Sequence, residues 1–136
     1  MADDQASAMA EISQAIAGGI LRLPALRDRE WDTYSMVAEV SDGVSRTTAY
    51  RYPRSGPPVP TEAPEDDDLF WDLRDRMRGA DGGTWDVVLV KIDRDTATLV
   101  MTFASGAAAD GWRVTPENMA RLPEALRPRP EDFEAD

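Results

Sequence analysis

The chain contains no cysteine, no histidine and only one lysine, Lys91, among its 136 residues. Without cysteine there is no disulfide framework and no thiol nucleophile. Without histidine there is no Ser-His or Cys-His dyad, and the two absences together remove zinc sites built on imidazole or thiolate. Catalysis would have to run on carboxylates, arginine, tyrosine or Lys91. Positive charge is scarce as well: 15 Lys and Arg face 26 Asp and Glu, a formal net charge of −11. Binding a phosphate backbone depends on clustered cations, so this balance argues against nucleic acid as a direct partner. Long apolar runs are also missing. No window approaches the roughly 18 uninterrupted apolar residues of a membrane span, and Met1-Ala-Asp-Asp4 carries acids where a secretory signal carries cations. The expected protein touches no membrane and stays in the cytoplasm.

A hydrophobic content of 42% with four tryptophans is enough to build a core. The expectation is a single domain over residues 1–127, followed by an acidic, proline-rich, frayed tail over 128–136. Met9, Ile12 and Ile16 recur at spacings of three and four with alanines beside them, which predicts a helix over residues 3–18 that Gly18-Gly19 either stops or breaks, with Ile20, Leu21, Leu23 and Leu26 placed to extend the same face and Pro24 favouring a new turn. From Trp31 the period changes to two. Met36, Ala38 and Val40 alternate, Ser41-Asp42-Gly43 turns, and Val44, Arg46, Thr48, Tyr50 and Tyr52 return, predicting a hairpin of residues 33–40 and 44–52. Residues 53–64 hold five of the ten prolines. They read as a long surface loop that cannot pair inside a sheet.

A second helix is expected over 65–78, with Leu69, Phe70, Leu73 and Met77 on one face. Acids lie in its first turn and arginines near its end, as the helix dipole favours. Asp72 and Arg76 are spaced for an i,i+4 pair worth a few tenths of a kcal/mol by typical magnitudes. A second hairpin follows, residues 84–92 and 96–103, apolar on both faces and so expected to be more central than the first. Thr115-Pro116 then opens a last helix that Pro123 shortens or splits. The order is α-ββ-α-ββ-α, an α+β fold with a four-stranded, mostly antiparallel sheet made of two hairpins and helices packed on it.

The candidate chemical motifs have plain structural readings. The successive carboxylates of Glu65-Asp66-Asp67-Asp68 diverge by about 100° each around a helix, so they read as helix-end electrostatics. Asp93-Arg94-Asp95-Thr96 starts like a calcium loop but lacks the glycine and bidentate glutamate that follow in one, and reads as a hairpin turn. Gly79 to Gly83 lacks the Lys-Ser/Thr of a phosphate loop. Among the tryptophans Trp85 is expected in the core, whereas Trp71 and Trp112 are placed to be partly exposed, either as protein-binding anchors or as side chains packed at the edge of the core.

Several stretches resemble the YezG-like superfamily of bacterial immunity proteins. They are the short amphipathic N-terminal helix ending before Trp31, the strand WDTYSMVAEV with its return through Tyr50-Arg51-Tyr52, the helix LFWDLRDRM, and Trp85-Asp-Val-Val-Leu89 running into the second hairpin. The similarity covers residues 8–104. The second hairpin departs from the family pattern, with Asp93-Arg-Asp-Thr96 in place of an Asp-Gly turn and Met101-Thr-Phe-Ala104 in place of an acidic, aromatic strand end. The resemblance implies a protein that is not an enzyme, holds no cofactor, and binds and blocks a cognate secreted toxin inside the cell that makes it. Many toxin domains of this kind are nucleases with cationic clefts, which an acidic protein can fill in place of nucleic acid. On this reading the contact surface is the exposed side of the 65–78 helix, with Asp67, Asp68, Asp72 and Asp75 supplying charge and Trp71 an apolar anchor. The acidic turns at Asp81 to Asp86 and Asp93 to Asp95 are the next candidates. Two alternatives stand beside it: a secretion chaperone or adaptor that binds an unfolded segment of an effector, and a small α+β domain with another role. A carboxylate enzyme using Tyr50 or Tyr52 fits less well, because histidine and cysteine are absent.

Overall fold

The computed structural model describes residues 2–23, 26, 31–41, 44–63, 68–77, 85–96, 98–106, 112 and 115–133. They form an α+β fold around one antiparallel sheet. Helix α1 (Ala2–Leu21) presents Ile12, Ile16 and Ile20 as a buried line at every fourth residue. Of the two readings at Gly18-Gly19 the extension holds, and the helix runs on to Leu21. A glycine costs a helix about 1 kcal/mol, while fully burying an isoleucine side chain returns about 1.5–3 kcal/mol; Ile20, wholly buried one residue later, carries the helix through.

Strands β1 (Thr33–Ser41) and β2 (Val44–Tyr52) form the first hairpin with its expected boundaries to within a residue. The sheet has five strands, not the four expected from sequence, in the order β3-β2-β1-β4-β5. The additional strand, β3 (Val59–Thr61), comes from the proline-rich segment and pairs with Ala49 to Arg51 of β2. Pro60 has no N–H to donate, which restricts it to a sheet edge, and the edge is where β3 lies. Helix α2 (Asp68–Arg76) is the described part of the expected 65–78 helix; residues 64–67 and 78–84, with the Gly79–Gly83 turn, lie outside the described residues. Strands β4 (Val87–Asp93) and β5 (Thr98–Ala104) form the second hairpin.

The first hairpin is the more central one, contrary to the expectation. β1 pairs with both β2 and β4, whereas β5 ends the sheet. β4 is nevertheless covered on both sides, with Val87, Val88, Leu89, Val90 and Ile92 all buried. On one face, Tyr34, Met36, Ala38 and Val40 of β1 and Val88, Val90 and Ile92 of β4 pack with Ile12, Ile16 and Ile20 of α1 and Phe70 and Leu73 of α2. Trp31 and Trp85 close the same core.

The opposite face carries Val37, Tyr50, Tyr52, Val87 and Leu89, covered by Leu122 and Leu126. Thr115 and Asn118 exchange reciprocal bonds, Thr115 N–H to Asn118 Oδ1 at 2.9 Å and Asn118 N–H to Thr115 Oγ1 at 3.3 Å. Turns rather than a regular helix follow, and helix α3 is limited to Leu122–Ala125 with Pro123 in its first turn. Beyond Pro128, where the sequence suggests a frayed tail, Pro130–Phe133 forms a 3₁₀ turn whose Asp132 pairs with Lys91 at 3.0 Å. Among the described residues, no helix is long and apolar enough to cross a membrane.

Candidate functional site

Exposed carboxylates lie in two places: on α2, where the sequence reading puts the contact surface, and at one end of the sheet, where strand pairing gathers them together with arginines. On α2 the carboxylates of Asp72 and Asp75 are exposed, and Asp72 accepts a 3.1 Å hydrogen bond from Nε of Arg76, one helical turn on. Trp71 is half-buried against the main core, with the Arg74 guanidinium 6.0 Å from its ring centre. Its anchor surface is thus partly occupied by the protein itself. Asp68 begins the described helix, and Asp67 lies outside the described residues.

The second surface follows from strand register. Thr33 stands opposite Tyr52 on one side and Asp93 on the other, so the start of β1 lies between the ends of β2 and β4. The residues that flank these ends are therefore gathered at one end of the sheet. Asp32, Asp93 and Asp95 bring carboxylate oxygens within 4.8 Å of one another. Arg54, just past β2, bridges Asp32 at 3.4 Å and Asp95 at 3.5 Å while remaining 76% exposed. The turn beneath is fixed by hydrogen bonds. Asp32 N–H donates to the Tyr52 carbonyl at 2.7 Å, Arg94 N–H to the Asp32 carbonyl at 3.0 Å, and Thr96 Oγ1 to Asp93 at 2.9 Å. Arg94 donates to the Trp31 carbonyl at 3.2 Å with its guanidinium 4.9 Å from the Trp31 ring centre.

These acids form one wall of a cleft of about 430 Å³, completed by Pro53, Arg127, Arg129 and Phe133. Arg127 is itself engaged: it lies 5.0 Å from the Tyr52 ring centre, pairs with Glu124 and donates to the Gly56 carbonyl at 2.7 Å. No family model and no curated protein matches this chain. The chemistry of the cleft must therefore be argued from its groups. Three carboxylate oxygens are the donor type of a hard cation, and here Arg54 offsets part of the charge of two of them, Asp32 and Asp95.

Sequence reasoning placed Asp93 to Asp95 second to the α2 acids and missed Asp32 and Arg54. The available signal was positional: Asp32 immediately precedes β1, and Arg54 closely follows β2.

Proposed function

We propose that this protein is a non-enzymatic binding protein that occupies a basic surface on another protein, in its specific form an immunity protein that neutralises a cognate toxin domain. The supporting observation is the convergence of Asp32, Asp93 and Asp95 at one end of the sheet, with the exposed Arg54 bridging Asp32 and Asp95, on a chain with a net charge of −11. A field of this sign raises encounter rates with a cationic partner by about 10- to 1000-fold, and salt suppresses the effect. The α2 acids Asp72 and Asp75, with Trp71 beside them, form the alternative contact on the same protein.

Co-expression with the product of the adjacent gene tests the reading. The expected result is a co-purifying complex and a cell protected from a toxin already folded in its cytoplasm; a neighbour that is neither toxic nor bound overturns it. Paired charge reversals then locate the contact. Reversal of Asp93 and Asp95 should slow association and flatten its salt dependence, whereas the same result from Asp72 and Asp75 places the contact on α2. Binding restricted to an unfolded segment of the partner favours a secretion chaperone.

A further inference from the structure

The two faces of the sheet are covered in different ways. Among the described residues, the main core holds nothing beyond Phe103, so α1, α2 and one sheet face complete it without residues 115–133. The other face depends on that later segment, which covers Val37, Tyr50, Tyr52, Val87 and Leu89 chiefly with Leu122 and Leu126. Its regular structure is the four-residue α3 and the 3₁₀ turn Pro130–Phe133. Among the described residues its backbone hydrogen bonds close within it, as from Leu126 N–H to the Leu122 carbonyl and from Asp132 N–H to the Arg129 carbonyl. Side-chain bonds tie it to the sheet: the Tyr52 hydroxyl to the Pro123 carbonyl at 2.6 Å, Arg127 to the Gly56 carbonyl at 2.7 Å, and Lys91 to Asp132 at 3.0 Å. A segment docked by side chains beside a core that is complete without it is the kind of unit that opens at less cost than global unfolding.

We infer that residues 115–133 form a strap that opens and closes as one unit on an otherwise folded protein, and that the cleft exists only while the strap is closed. Asp32, Asp93 and Asp95 line the cleft from the sheet end, whereas Arg127, Pro128, Arg129 and Phe133 line it from the strap. Opening removes those four residues from the cleft together and uncovers Val37 on β1. Tyr52, Lys91 and Asp132 line none of the cleft, yet their bonds fix where the strap side stands, which makes them positioning residues. A partner group seated between the two sides binds the closed form better and so holds the strap shut. That last step rests on the contact proposed above; the strap itself does not.

With no native cysteine, opening is readable by thiol labelling of the full chain. Val37→Cys and Val90→Cys are the same substitution on adjacent strands, at positions 2% and 0% exposed, but Val37 lies beneath the strap and Val90 in the main core. The expected result is Val37→Cys reacting at least about tenfold faster than Val90→Cys, with a shallower urea dependence because strap opening exposes less surface than global unfolding. In the unmodified protein the amides of Leu126 and Asp132 should exchange with one common, shallow urea dependence, and those of Val37 and Val90 with a steeper one. Equal labelling at the two positions with equal urea dependence overturns the strap, as does exchange at Leu126 that follows the global slope while Asp132 frays alone. Bound to the product of the adjacent gene, Val37→Cys should label about tenfold or more slowly than in the free chain. Unchanged or faster labelling in that complex overturns the link between cleft and strap. Failure to form any complex overturns the function proposed above instead, and the comparison in the free chain still decides the strap.

Discussion

The hydroxyl of Tyr52 donates a 2.6 Å hydrogen bond to the carbonyl oxygen of Pro123, 71 residues further along the chain. The Tyr52 hydroxyl oxygen lies 2.8 Å from Oγ of the fully buried Ser35, which can therefore donate to it. With Arg127 stacked on the Tyr52 ring, this pairing ties the C-terminal segment to the second face of the sheet.

Tyr52→Phe keeps the ring and removes both bonds. It should destabilise the protein by about 1–3 kcal/mol, the usual cost of leaving buried polar groups without partners. The check is a lower urea midpoint with an unchanged m-value, together with faster amide exchange over Leu122 to Leu126.

Arg74 couples α2 to the strand that follows. Its Nε donates to the Trp85 carbonyl at 2.8 Å and its Nη2 lies 3.4 Å from Asp86, with the side chain only 16% exposed. Arg74→Ala should cost about 1–3 kcal/mol through the lost charged hydrogen bond to the backbone. Asp86→Asn, which removes only the longer ion pair, should cost less than about 1 kcal/mol; equal losses in thermal unfolding would contradict this division.

Burial holds the phenols of Tyr34 and Tyr52 well above the ordinary tyrosine range. At Tyr52 the Ser35 hydrogen bond opposes that rise without overcoming it. In the unfolded chain these groups ionise near pH 10, so above that value the unfolded state loses protons first and stability falls as pH rises. Tyr34→Phe should reduce the slope of this alkaline loss, although it also removes the 3.0 Å bond from the Tyr34 hydroxyl to the Glu62 carbonyl. Unfolding free energies measured between pH 8 and 11 test the change of slope.

At the acid end the relevant carboxylate is Asp132. Partial burial alone would raise its pKa, but the Arg129 backbone N–H and the Lys91 ammonium outweigh burial and leave it below the ordinary carboxylate value. Its contribution is therefore complete above the unfolded-state pKa and is lost as pH falls through the lower folded-state value. Asp132→Asn should remove that part of the acid dependence. The distinguishing measurement is whether the variant and the parent converge in stability at low pH.

The first hairpin was legible because its information is local. Alternation from Tyr34 to Val40 and a Ser-Asp-Gly turn define both strands without reference to the rest of the chain. Helix α1 was legible in kind but not in length, since propensity at Gly18-Gly19 yields to the burial of Ile20. β3 was hidden because two hydrogen-bonding residues flanking a proline at a sheet edge leave no periodic signal. The α2 acids drew attention as a continuous charge run, whereas Asp32 lies 61 residues from Asp93 in the sequence and joins Asp93 and Asp95 only through strand pairing.

The sequence by itself determined the α+β class, the faces of the main elements, the acidity and the absence of thiol and imidazole chemistry. These follow from side-chain period and composition, which no later contact can change. Only the tertiary structure decided the strand order and the meeting of Asp32, Asp93 and Asp95, two of them bridged by Arg54. Those depend on which strands become neighbours, a choice set by the packing of whole faces against α1, α2 and the C-terminal segment.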